Sequence, residues 1–256
     1  MIQKLLTSLI LSLAVLVVQA VDIQSRKLDT DVGLPDNNVR NISQDAKGFI
    51  WMGTPNGLFR YDGYFFTTYK YSETGNTRYL NNNHVTASFK LSSGMMLFRE
   101  QGNLWSLFDV KTNRFLPLKH DGRPLSYKRG GEHGGDLWLG DSEKGCVRIK
   151  VEEKNNGEIT LAYTFFNTYN KELKSDHLAV VQADSHGTVW ICTDEDVYYV
   201  KGEHAVKTNT RKHVVALVSK NGADYMVTVK GEVFKIEGNK LRLQFAPRNE
   251  IVVTKA

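Results

Sequence analysis

One phrase recurs along this chain: an Asp, two residues, a Gly, two more, then a Trp. Its fullest copy is Asp45-Ala46-Lys47-Gly48-Phe49-Ile50-Trp51, and a second copy runs from Asp184 through Gly187 to Trp190. Aligning on the last position gives Trp51, Leu97, Trp138, Trp190 and Tyr225, and a Gly stands three places earlier each time: Gly48, Gly94, Gly135, Gly187 and Gly222. The steps are 46, 41, 52 and 35 residues, a mean of about 43. A repeat array decides architecture before any single motif is interpreted.

Each unit reads as strands. Val39 to Gln44 alternates apolar and polar residues, the period of a half-buried strand. Asp45 to Gly48 then turns the chain, because Asp bonds its own downstream backbone and Gly accepts positive φ. Phe49–Met52 makes a second strand, Pro55-Asn56-Gly57 a turn, Leu58–Tyr61 a third strand, and Asp62-Gly63 leads into Tyr64–Tyr69 as the fourth. Later units keep this order, with turns at Lys201-Gly202 and Glu237-Gly238. No stretch after residue 20 has a helical period. The expectation is an all-β chain, a β-propeller of four-stranded blades. Five blades start near residues 34, 80, 124, 173 and 211, and a truncated sixth starts near 248. Trp51, Trp138 and Trp190 fall mid-strand, where wide rings fill the gap between blades.

Residues 1–20 stand outside the array. Lys4, an apolar run from Leu5 to Val18, and Val18-Gln19-Ala20 form a secretory signal peptide too short to span a bilayer. Residues 21–256 are therefore read as an exported, periplasmic partial propeller with no membrane span after cleavage. Losing Lys4 lowers the formal charge from +5 to +4, and the 33 basic and 28 acidic residues are interspersed. That pattern excludes a nucleic-acid footprint. Cys146 and Cys192 fall on different strands of successive units and read as two buried free thiols.

Gly33-Leu34-Pro35-Asp36-Asn37-Asn38-Val39, then Gln44 to Thr54, then Asn56-Gly57-Leu58-Phe59-Arg60-Tyr61-Asp62-Gly63, resemble the opening of the two-component regulator propeller. The unit from Leu178 to Val200 is also a good match, whereas those at Val85 and Gly135 are looser and the one at Val214 is weak. The resemblance implies the periplasmic sensor region of a hybrid two-component system of Bacteroidetes, recognising products of glycan breakdown. It implies further propeller, immunoglobulin-like, membrane, kinase and receiver regions that are absent from these residues. The chain thus reads as an N-terminal fragment whose partners are an oligosaccharide and either the missing C-terminal regions or a partner chain. It reads as no enzyme, with no cofactor, no metal and no nucleic-acid partner. Its opening stretch Ile23–Leu28 resembles the outer strand of a final blade, and an unclosed array would expose strand edges.

The candidate ligand residues precede the first strand of successive units. They are Asn38, His84, His177 and His213, with the polar neighbours Asn37, Asn83 and Asp176. Such amides, imidazoles and a carboxylate can hydrogen-bond sugar hydroxyls; equally, they are ordinary strand-end turn residues. Three other readings remain. A streptogramin-lyase-like propeller enzyme would place His133 under suspicion. A sialidase-like glycosidase is disfavoured because its box needs Asp-x-Gly, one residue tighter than Asp184 to Gly187, and no paired carboxylates stand out. An exported propeller scaffold for a protein partner is the third.

Overall fold

The structure, a computed structural model, describes residues 25, 27–72 and 80–247. The signal peptide, half of Ile23–Leu28 and the truncated sixth unit lie outside the described residues. The chain divides into two compact units, residues 1–37 and 38–256. In the first, Asp29 caps the short turn Thr30–Val32 by accepting the Asp31 N–H, and Gly33 follows at φ +96°.

The second unit holds five four-stranded antiparallel sheets in sequential strand order. Blade 1 runs Asn41–Gln44, Ile50–Thr54, Gly57–Tyr61 and Phe66–Tyr69; blade 2 runs Val85–Lys90, Met96–Glu100, Leu104–Asp109 and Arg114–Pro117. Blade 3 runs Arg129–His133, Asp136–Asp141, Gly145–Glu153 and Ile159–Phe166. Blade 4 runs Leu178–Ala183, Val189–Thr193, Val197–Lys201 and His204–Lys207, and blade 5 runs Val214–Lys220, Ala223–Thr228, Val233–Glu237 and Lys240–Phe245. A two-stranded hairpin, Lys119–His120 with Arg123–Pro124, is inserted between blades 2 and 3. The all-β propeller with four-stranded blades read from the sequence is the observed fold. The fourth strand of blade 1 starts two residues later than the pattern suggested, because the Asp62 carboxylate accepts the Tyr64 and Phe65 N–H groups and holds both in the turn.

The recurring phrase has one physical explanation. In blade 1 Asp45 Oδ1 accepts the Lys47 and Phe49 N–H groups, and Oδ2 accepts the Trp51 indole N–H at 2.8 Å. In blade 4 Asp184 does the same with His186, Thr188 and Trp190. Each aligned Gly lies in the left-handed region, from φ +73° at Gly222 to +88° at Gly48, where a side chain would be strained. The Asp thus fastens a tight hairpin to the ring that the next blade covers. Blade 3 lacks the Asp, and its Trp138 donates instead to the His133 carbonyl.

Four apolar clusters fill the four junctions between consecutive blades. Trp51 packs with Phe98, Phe108 and Phe115 of blade 2, Leu97 and Trp105 with Leu137 and Leu139 of blade 3. Trp138 packs with Leu178 and Ile191 of blade 4, and Trp190 with Val214 and Met226 of blade 5. Cys146 and Cys192 are free and buried in the last two clusters.

Candidate functional site

The first strands of neighbouring blades lie side by side. Asn41 Nδ2 reaches the Val85 carbonyl, Ser88 Oγ bonds Asn41 and Ser43, and an Arg129 N–H reaches the Ala179 carbonyl. The residue before a first strand therefore opens at one end of this inner row.

Three of the candidate residues hold equivalent places there. The carbonyls of His84, His177 and His213 accept N–H groups from Gln101, Asp194 and Val229, each just past the second strand of its own blade. The same three blades each carry a bulge one residue further on, between Val85 and Ala87, Leu178 and Val180, and Val214 and Ala216.

The structure brings two of the seven together. His177 and His213, both exposed, line an open recess of about 410 Å³ with Arg129, Ser142 and Asp194 over an apolar floor of Leu178, Ala179 and Val215. Asp194 is held by Ser175, whose hydroxyl donates to Oδ1 at 2.7 Å. No hydrogen bond joins Ser142 to either imidazole among the described residues, so no nucleophile and base are paired there. His84, with its N–H on Asn82 Oδ1, is half-buried and does not line this recess.

The remaining candidates do local work. Asn37 lies in the N-terminal unit, where its carboxamide accepts the Thr30 N–H at 3.1 Å and donates to Thr30 Oγ1. Asn83 Oδ1 accepts the Tyr71 N–H at 2.6 Å, and Asp176 accepts both the N–H and the hydroxyl of Thr168 at 2.7 Å. These are strand-end caps of the kind Asn and Asp form in turns. Asn38 is exposed at the start of the second unit.

Beneath the Asn81–His84 segment lies a feature sequence reasoning missed. Glu100 is buried; its carboxylate accepts the Asn82 N–H and the Ser106 hydroxyl, and Asn81 also reaches Ser106. Burial raises its pKa to about 7, against the pull of these hydrogen bonds. Arg129 and Asp194 were missed as well, although Asp194 follows a second strand and so must open at the same end as His177.

Asp184, His186 and Asp224 bring potential metal-ligand atoms within 4.8 Å of one another. Every oxygen of the two carboxylates already accepts a hydrogen bond, from the Asp184 turn and the Trp190 indole or from Ser185 and Ser219. Burial pushes the Asp224 carboxyl upward, yet the Ser185 and Ser219 bonds outweigh it and hold the group below the usual range. Turn chemistry accounts for this cluster without an ion.

Residues 33–56 match the family described as the two component regulator propeller. A search of curated proteins finds no match. Among solved structures, the chain is similar to the extracellular domain assigned to a hybrid two component system of B. thetaiotaomicron: 17% identity, 90% of this chain, 38% of that one, TM-score 0.42. PorZ of the type-IX secretion system of Porphyromonas gingivalis aligns at 14% identity over 81% of this chain and 34% of its own, TM-score 0.47. A gluconolactonase-type protein aligns at 13% identity over 79% of this chain and 74% of its own, TM-score 0.38. The chain thus spans under two-fifths of the length of the two-component domain it matches. Among the described residues no helix is long and apolar enough to cross a membrane.

Proposed function

We propose that this chain is the ligand-binding part of an exported two-component sensor, and that the His177–His213 recess receives a glycan-derived oligosaccharide. The observation that carries the reading is the convergence of Arg129, His177 and His213, from the starts of three consecutive blades, with Asp194 from just past the second strand of blade 4, around an apolar floor. Planar donors and acceptors beside aliphatic side chains suit a ring with hydroxyls on its rim and C–H groups on its faces. Residues 1–20 would direct export, and phosphotransfer would belong to regions outside these residues. Binding would bias a pre-existing equilibrium only if two sensor arrangements hold the sugar differently.

Titration calorimetry of the full chain against neutral and acidic oligosaccharides tests this. His177→Ala and His213→Ala are each expected to weaken a bound saccharide about tenfold, with no turnover of it. Unchanged affinity in both variants removes the recess from the account, and turnover of the saccharide would favour an enzyme.

A further inference from the structure

A second recess, of about 380 Å³, lies between blades 3 and 4 and shares no wall residue with the first. It opens beside the turns that precede the second strands. Arg148 and Lys150 line it from the third strand of blade 3, His133 and Asp136 from the strand ends that flank the turn of blade 3, and His186 and Thr188 from the turn of blade 4. The two turns touch: a Cβ added to Gly134 would meet the Gly187 carbonyl and Val189 at 3.3 Å.

Arg148 is buried, only 6% exposed. Its guanidinium lies 6.0 Å from both the Trp138 and Phe166 rings, and its terminal nitrogens bond the Gly202 carbonyl at 2.7 Å and Thr164 Oγ1 at 3.5 Å. Its Nε has no acceptor; the nearest carboxylate oxygen, Asp136 Oδ2, is 3.8 Å away. Lys150 has no ion pair among the described residues. Among the wall residues one carboxylate, Asp136, stands with two cations and two imidazoles, and Asp224 lies behind His186 with Oδ2 3.5 Å from the ring Nδ1.

Stacking alone does not account for this set, and blade 1 supplies the comparison. Arg60 stands opposite Trp51 as Arg148 stands opposite Trp138, lies 4.9 Å from the Phe49 ring, and also leaves Nε without an acceptor. Two residues on, however, blade 1 has Asp62 where blade 3 has Lys150. The arginine over the ring is a packing device of the fold; blade 4 has a lysine, Lys201, at the second position but Tyr199 at the first, so the pairing of arginine with lysine is what sets blade 3 apart among the five blades. A paired charge of this kind, partly withdrawn from water, recognises oxyanions.

We propose that the recess between blades 3 and 4 binds an oxyanion, a carboxylate, sulfate or phosphate group, through Arg148, Lys150 and His186. This site is independent of the His177–His213 recess. The test is NMR of the His133 and His186 ring resonances in the full chain, titrated with sodium sulfate, glucuronate and glucose at ionic strength held with chloride. Sulfate or glucuronate should shift both histidines saturably, and Lys150→Gln should weaken binding at least about fivefold. His186→Gln should weaken it less, and glucose should be silent. Arg148→Lys is a second variant, read only if its melt matches the parent; Lys150→Gln, on a half-buried side chain, decides otherwise. Glucuronate binding tighter than sulfate would point to an acidic saccharide, and the reverse to a free oxyanion. Unsaturated shifts up to about 50 mM sulfate, or unchanged affinity in Lys150→Gln, overturns the proposal.

Discussion

Glu100 makes stability depend on pH in a direction opposite to that of most carboxylates. Its ordinary pKa of 4.5 is raised to about 7 in the folded chain, chiefly by burial. Between these values the folded state holds a proton that the unfolded chain has released, so stability falls as pH rises. At about 1.4 kcal/mol per unit, the ionised form costs about 3 kcal/mol once pH exceeds 7. Glu100→Gln removes that charge and keeps the shape of the protonated acid, with its amide facing the Ser106 hydroxyl. Urea unfolding of both proteins at pH 4 and pH 8 gives two differences in stability. The variant should gain about 3 kcal/mol on the parent between the two conditions. Other titrating groups cancel in this comparison, including His133, whose pKa burial lowers and whose own contribution fades as pH falls. An equal difference at both pH values would refute the reasoning, since it would mean that Glu100 is not held neutral by its surroundings.

Four further outcomes are expected. Asp45→Ala leaves the Trp51 indole and two backbone N–H groups without acceptors and should cost about 2–4 kcal/mol in urea unfolding, with Asp45→Asn costing less. Gly48→Ala meets nothing closer than 3.7 Å and should cost about 1 kcal/mol from backbone strain alone. Gly145→Ala places a Cβ 2.2 Å from the Phe166 carbonyl and should cost several-fold more in the same assay. Cys146 and Cys192, both fully buried with thiol pKa values raised by burial, should react with a disulfide reagent only on unfolding, and fast labelling of the native chain would contradict their placement.

The fold was legible because its turns demand particular residues. A Gly at positive φ three places before a large apolar or aromatic residue is a local requirement, and five copies at one offset expose it. The Asp-to-indole bond was half legible: Asp45 was read as a turn cap, but its second oxygen serves a ring across the hairpin. At the recess, the histidines could be found because they occupy one repeat position. Arg129 and Asp194 could not be found that way, since Arg129 lies inside a first strand and Asp194 follows a second strand, positions that meet the histidines only after the blades pack. Asn83 and Asp176 share the composition of ligand residues yet spend their side chains on the backbone and hydroxyls of nearby loops.

The irregular spelling of the repeat follows from where each large side chain is buried. Trp51 answers to Phe98 and Phe108 of the following blade, while Leu97 shares its junction with Trp105, whose indole supplies the bulk that leucine lacks. Every junction is thus a private agreement between two neighbours. Drift at one repeat position is judged by the adjoining blade, not by the other copies of that position.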